Sequence, residues 1–134
     1  MAQYERISIT IEPELLARLD AHIAASGHAN RSEAIRDFIR ARLVETASSE
    51  DRVVGSLTTV YDHGQRALAD RLVEAAHDHH DLVLATLHVH LDHDRCLELS
   101  ALKGRRGDVE HYAHHVLGMK GVLHGDLTIT GEEP

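Results

Sequence analysis

The chain contains a single cysteine, Cys96, in 134 residues, which rules out an intramolecular disulfide framework and fits a reducing compartment. Tryptophan is absent and the aromatic residues are four, Tyr4, Phe38, Tyr61 and Tyr112, so a core has to be built from aliphatic side chains. No apolar run is long enough to span a bilayer, and the opening Met-Ala-Gln-Tyr-Glu-Arg lacks the charged and apolar regions of a signal peptide. The expectation is a soluble, cytoplasmic protein with no membrane partner. Positive charge is also scarce: 14 Lys plus Arg face 22 Asp plus Glu, for a net −8. That balance argues against a broad nonspecific polyanion binder, while leaving room for a local basic face on an oligomer.

The deficit is uneven. Residues 1–50 hold six Arg against eight acidic residues, a net of −2, and residues 51–134 hold eight cations against fourteen, a net of −6. Of 13 histidines only His22 and His28 fall in the first part. The length suits one medium domain or two small ones, and the contrast in chemistry favours two.

The one cysteine closes the run Leu-His-Val-His-Leu-Asp-His-Asp-Arg-Cys, residues 87–96. In an extended strand alternate side chains share a face, so His88 and His90 project together while Val89 points the other way. The polar stretch Asp92-His93-Asp94-Arg95 reads as a turn able to return Cys96 beside them. A thiolate with imidazoles is a donor set for a first-row transition metal. Singly, a buried thiol or a strand histidine is an ordinary structural residue. Together with the upstream cluster His77-Asp78-His79-His80, metal binding is the better reading.

In the first fifty residues, Arg6-Ile7-Ser8-Ile9-Thr10-Ile11 alternates strictly between polar and β-branched side chains, the pattern of a half-buried strand. Pro13 then suits a first helical position, and Leu15, Leu16, Leu19 and Ile23 recur at helical spacing until Gly27. A second helix starts with Asn30 and Glu33 in a capping arrangement, or with Ser32 as cap, and carries Ala34, Ile35, Phe38, Ile39 and Leu43 as its apolar stripe. One strand and two helices cannot satisfy the strand edge or bury both stripes alone, so pairing with a second copy into a two-stranded antiparallel ribbon is expected. Such a ribbon fits the major groove of duplex DNA and would present Arg6, Ser8 and Thr10 from each chain. The start of the second helix, at Arg31 and Ser32, supplies free backbone N–H groups suited to a phosphate.

Beyond a linker at Thr46-Ala47-Ser48-Ser49, the patterns read as strand 53–61, helix 65–76, strand 82–90, strand 96–102, helix 108–119 ended by Gly121, and strand 122–130. The order β, α, β, β, α, β is the ferredoxin-like unit, which associates readily through its sheet edges. The chain is therefore expected to be α+β, with residues 1–48 as one domain and 52–134 as the other.

The pairing of Arg6-Ile7-Ser8-Ile9-Thr10-Ile11 with Asn30-Arg31-Ser32-Glu33-Ala34-Ile35-Arg36 closely resembles the ribbon-helix-helix DNA-binding fold. Joined to a second half carrying residues 87–98, the stretch 69–73, Ala85-Thr86-Leu87-His88 and Leu102-Lys103-Gly104, it resembles the nickel-responsive regulator family, NikR, over nearly the whole length. The resemblance implies a homotetramer, a dimer of dimers, in which two DNA-binding dimers flank four ACT-like metal-binding domains and repress from a palindromic double-stranded DNA operator, controlling nickel-uptake genes. It implies one Ni(II) per subunit, held by His88, His90 and Cys96 with His77 of a neighbouring subunit. The choice of His77 over His79 or His80 rests on that family alone. Glu98 would support a metal-bound imidazole. Family members contact the DNA backbone near residues 63–66, which makes Arg66 the clear cation there, and carry a further cation site that would fall on Glu33 and Asp37.

The same donors satisfy tetrahedral zinc, so a sensor of zinc, cobalt or copper is the first alternative and a ribbon-helix-helix antitoxin the second. An antitoxin leaves the histidine-rich half unexplained. A hydrolytic zinc enzyme would need a base such as His93 or Asp94, but no nucleophile or oxyanion motif accompanies them, and the chain is read as non-enzymatic.

Overall fold

The computed structural model describes residues 3–65 and 67–132, and the chain divides into two compact units, Met1–Ile39 and Arg40–Pro134. Helix α1 (Pro13–Ser26) begins with proline at its first turn, where the missing N–H costs nothing, and ends at Gly27. Gly27 has φ +77°, a left-handed conformation that glycine adopts without Cβ strain. Helix α2 (Arg31–Glu45) is capped by Asn30, whose Oδ1 accepts the Glu33 N–H at 2.9 Å. Glu33 in turn accepts the Ala29 N–H through Oε2, also at 2.9 Å. This is the expected reciprocal arrangement displaced by one residue upstream, and Asn30 rather than Ser32 is the cap.

Residues 3–12 form no strand ladder within one chain, and all but Ile11 are exposed. The physical reason is that a strand is completed by hydrogen bonds to a neighbour, and residues 6–11 have none in their own chain. Ile7 and Ile9 stand 73% and 62% exposed, so the apolar side of the alternating pattern is open in the single chain. Of the α2 stripe only Ala34 is fully buried.

The second unit has the order β1 (Arg52–Asp62), α3 (Leu68–Asp78), β2 (Val83–His90), β3 (Arg95–Arg105), α4 (Arg106–Leu117), β4 (Val122–Thr130). The strands form one sheet in the order β2-β3-β1-β4, with every neighbouring pair antiparallel. This is the expected ferredoxin-like arrangement. The odd positions of β1, Val53, Leu57, Thr59 and Tyr61, face the helices and are buried. Opposite them on β3 lie Gly104, Ser100, Glu98 and Cys96, so one face of the sheet is specified by period-two patterning on both strands. Leu68, Leu72 and Ala75 of α3 and Val109, Tyr112, Ala113 and Val116 of α4 cover that face.

Three elements differ from the sequence expectation by two residues or more. Helix α3 begins at Leu68 rather than 65 and runs on to Asp78 rather than 76. Strand β3 continues through Lys103, Gly104 and Arg105 because β1 pairs with it over its full length, from Arg52 opposite Arg105 to Asp62 opposite Arg95. Gly104 is tolerated there because the Leu82 side chain lies over it; a Cβ at Gly104 would come within 2.6 Å of Leu82 Cδ1. Helix α4 starts two residues early and gives way at Gly118, leaving Gly121, at φ +101°, in the turn into β4.

The cap assignment makes a measurable distinction. Asn30→Ala removes the acceptor for the Glu33 N–H and should lower unfolding stability by about 1 kcal/mol, whereas Ser32→Ala should change it by less than about 0.5 kcal/mol. Chemical denaturation of both variants checks this, and equal losses would reassign the cap.

Candidate metal centre

The position of every donor on the sheet follows from strand register. In the β2 and β3 ladder His90 pairs with Cys96, and His88 pairs with Glu98; in the β1 and β3 ladder Cys96 pairs with Tyr61. All five side chains therefore stand on one face in two adjacent rows. Between β2 and β3 the Asp92 carboxylate fixes the return: Oδ1 accepts the Asp94 and Arg95 N–H groups at 2.9 Å each, and Oδ2 accepts the Arg95 guanidinium at 2.9 and 2.6 Å. The guanidinium and these N–H groups hold the Asp92 carboxyl below its ordinary range. The turn read from Asp92-His93-Asp94-Arg95 is thus built on an aspartate that hydrogen-bonds its own loop.

Cys96 is fully buried, and its Sγ lies 3.4 Å from Nδ1 of His90 and 3.4 Å from Nδ1 of His63. Donor atoms of His63, His90 and Cys96 all lie within 4.8 Å of one another, the one such group of three among the described residues. The His88 ring is 5.1 Å from that of His90, centroid to centroid, but its Nδ1 is 3.1 Å from the Tyr61 hydroxyl and 3.5 Å from Oε2 of Glu98. Glu98 thus stands where a carboxylate can orient an imidazole. Burial pushes the Glu98 carboxyl up, with His88 opposing, and burial together with Glu98 and Cys96 pushes the Tyr61 hydroxyl up to about 12. Tyr112, also raised to about 12 by burial and by Glu98, carries the same signature from α4.

The histidines at the end of α3 have separate circumstances. His79 is the C-terminal cap: its Nδ1 lies 2.8 Å from the Ala75 carbonyl and its ring packs 5.1 Å from Tyr112. His80 lies 3.2 Å from the Asp81 carboxylate. His77 is exposed in the last helical turn, and its ring engages no described residue of its own chain. His93 lies 3.0 Å from Asp94 on the exposed loop, with its side chain 99% exposed.

His63 was not among the donors expected from sequence. It directly follows β1, and its one available signal is that Tyr61, two residues before it, is the register partner of Cys96. That pairing is a long-range fact that local periodicity does not contain.

In the first unit, Arg6, Ser8, Thr10 and Ser32 are exposed. Arg31 forms a two-pronged ion pair with Asp20 of α1, at 2.8 and 2.9 Å, which lowers the Asp20 carboxyl and raises the guanidinium. Asp37 faces His28 at 2.9 Å, and Glu33 is engaged in the α2 cap, so both expected cation ligands have partners in their own chain. Arg66 lies outside the described residues.

A buried thiol grouped with imidazoles suits a borderline transition metal such as Ni, Zn, Co or Cu, and the donor chemistry of Cys96 with these histidines fits such an ion. The fold and this grouping define a class: ribbon-helix-helix transcription regulators with a separate metal-ligand domain. Comparison with known proteins narrows it. The profile described as NikR C terminal nickel binding domain matches residues 54–130, and that of the ribbon-helix-helix protein, copG family, matches residues 5–46. A putative nickel-responsive regulator of Bradyrhizobium diazoefficiens is 49% identical over 133 residues, covering 96% of this chain and 90% of the relative. One from Rhodopseudomonas palustris is 46% identical over 124 residues, covering 91% and 89%. The nickel-responsive regulator of Brucella abortus biovar 1 is 47% identical over 128 residues, covering 93% and 97%. The chain belongs to the nickel-responsive regulator family.

The raised Glu98 carboxyl has a signed consequence. The fold favours the protonated form, so this contribution to stability is present below the ordinary value of 4.5 and is lost as pH rises through the raised one. In metal-free protein, Glu98→Gln should raise the thermal midpoint by about 3 °C at pH 8 and leave it unchanged near pH 4. A lower midpoint at pH 8 would mean that the His88 contact outweighs burial.

Proposed function

We propose that the chain is a nickel-dependent transcriptional repressor. Residues 52–134 hold one Ni(II) per subunit through His88, His90 and Cys96, with His77 supplied by a second subunit, and residues 1–48 read the DNA. The observation that carries this reading is the antiparallel register that sets His90 against Cys96 with His88 in the next row of the same face. The exposed His77 ring, with no partner among the described residues, suits a donor that serves another chain, whereas His79 is committed to its own helix end. Strand β2 is an edge strand with Leu84 and Leu87 61% and 58% exposed, the character of a surface that is covered by association. A homotetramer, as a dimer of dimers, answers both features.

When bound, the metal supplies a fixed cross-link between subunits. The protein's own residues do the reading. Arg6, Ser8 and Thr10 from two paired strands enter the major groove of a palindromic operator, where Arg recognises guanine and the hydroxyls adapt to either base type. The start of α2 at Arg31 and Ser32, and Arg66 beyond β1, contact phosphates. Glu98 orients His88. Metal acts on DNA affinity by favouring the DNA-competent assembly, and DNA favours metal by the same factor. Nickel-uptake genes are the natural targets of such a repressor. A regulator of this family needs no catalytic group.

Gel-shift titrations should use the DNA upstream of the protein's own gene and of neighbouring metal-transport genes, with each divalent metal in turn. Ni(II) should tighten specific duplex binding by about 5- to 150-fold, the range of a 1–3 kcal/mol coupling, and His88→Ala or Cys96→Ala should remove that gain. Operator affinity that is independent of metal in the parent and in both variants contradicts the proposal.

A further inference from the structure

The segment between α2 and β1 is bonded to the start of α4. Helix α2 runs unbroken from Arg31 to Glu45, out of the first compact unit and into the second, and residues 46–51 carry the chain on to β1. Thr46 closes the last turn of α2, its N–H and its hydroxyl both donating to the Arg42 carbonyl, at 3.1 and 2.9 Å. The segment then turns on itself: the Ser48 N–H donates to the Asp51 carboxylate at 2.7 Å, and the Asp51 N–H to the Ser48 carbonyl at 3.1 Å. Two of its carbonyls serve α4. The Arg106 N–H donates to the Asp51 carbonyl and the Gly107 N–H to the Ser49 carbonyl, each at 2.9 Å. A helix start leaves four N–H groups without a helical partner, and the segment supplies two of the missing acceptors where Arg105, at the cap position, supplies none from its side chain.

One side chain returns the contact. Arg106 is the first residue of α4, where a cation meets the positive end of that helix's dipole. Its guanidinium is carried instead to the carbonyl end of α2, where a cation is favoured. Nη1 donates to the Val44 carbonyl at 2.6 Å and lies 3.5 Å from the Ala47 carbonyl, while Nε donates to Glu110, one turn along α4, at 2.9 Å. The Arg106 side chain is 22% exposed, and every residue of this joint falls within Arg40–Pro134. Further along α4, Val109, Tyr112, Ala113 and Val116 seat the helix on the sheet face that carries Glu98 and Cys96. We infer that Arg106 is a positioning residue for regulation: it ties the end of the helix that begins in the DNA-reading unit to the helix that rests on the metal-binding face. The inference rests on the nickel-dependent repressor proposed above and concerns how its two activities are coupled, Arg106 itself belonging to neither ligand set. Coupling needs an element whose arrangement both sites bias. A bonded joint passes a change in the metal face on to α2, whereas a loose tether would let each unit bind its ligand independently.

The test compares full-length parent and Arg106→Ala in three measurements: Ni(II) affinity without DNA, affinity for the tightest duplex of the gel-shift titrations with and without Ni(II), and amide hydrogen exchange over residues 46–51. Arg106→Ala should keep the parental Ni(II) affinity and the parental metal-free duplex affinity. It should lower the nickel-induced gain in duplex affinity by about 2- to 30-fold, the range by which residues between two sites modulate their coupling. Exchange over residues 46–51 should quicken at least about threefold as the joint opens. Arg106→Leu, which keeps an apolar stem but has no donor, gives the same reading should the alanine variant fail to fold. A folded Arg106 variant with the full nickel gain, or with parental exchange over residues 46–51, overturns the inference. So does a variant that loses Ni(II) affinity without DNA, since Arg106 would then act on the metal centre itself. A parent with no nickel gain contradicts the repressor reading and takes the coupling role with it, whereas a gain that survives Arg106 replacement defeats this inference alone.

Discussion

The pairing of β2 with β3, in which His90 faces Cys96 and His88 faces Glu98, is the constraint on which the rest of the metal domain depends. Side chains alternate along a strand, so a slip of one residue would send both β2 histidines to the opposite face, away from the buried thiol. Several features hold this register at once. Asp92 organises the return through two backbone N–H groups and the Arg95 guanidinium, Leu82 covers Gly104 at the far end, and β1 clamps β3 along its length. The Arg95 pair is solvent-exposed and adds little free energy; its value is geometric. The packing of Leu68, Leu72, Val109 and Val116 over the sheet supplies the stability, each fully buried aliphatic side chain contributing about 1.5–3 kcal/mol.

Several surfaces of the single chain stand unpaired. Residues 3–12 lack a ladder partner, Ile7 and Ile9 are open, and edge strand β2 exposes Leu84 and Leu87. In the proposed homotetramer a second copy would satisfy each: backbone groups seek a strand, and apolar side chains seek cover. In the proposed assembly, a metal whose last donor comes from another subunit would turn such association into a ligand-dependent equilibrium. By mass action, the assembly that binds the ion more tightly is the one that accumulates.

Local patterns carried much of this architecture into the sequence. Pro13 and Gly27 around α1, Asn30 before α2, and the β, α, β, β, α, β order were all legible because each rests on neighbours within a few residues. The pairing of His88, His90 and Cys96 on one hairpin was legible for the same reason. What local pattern could not contain is sheet order: β1 lies between β3 and β4, and that alone brings the end of β1, and with it His63, to Cys96. The extension of β3 through Gly104 was hidden because glycine reads as a strand breaker until the side chain of Leu82 is laid over it. Nor does spacing separate His77 from His79; the structure adds that His79 is engaged at its own helix end, while the choice of His77 comes from the family resemblance.

Reciprocity gives the most direct test of the coupling between the metal centre and the DNA-reading head. Ni(II) affinity should be measured for the full-length protein alone and with saturating operator duplex, beside operator affinity with and without Ni(II). The account predicts that duplex tightens Ni(II) by the same factor by which Ni(II) tightens duplex. A nickel affinity unchanged by saturating operator would contradict it.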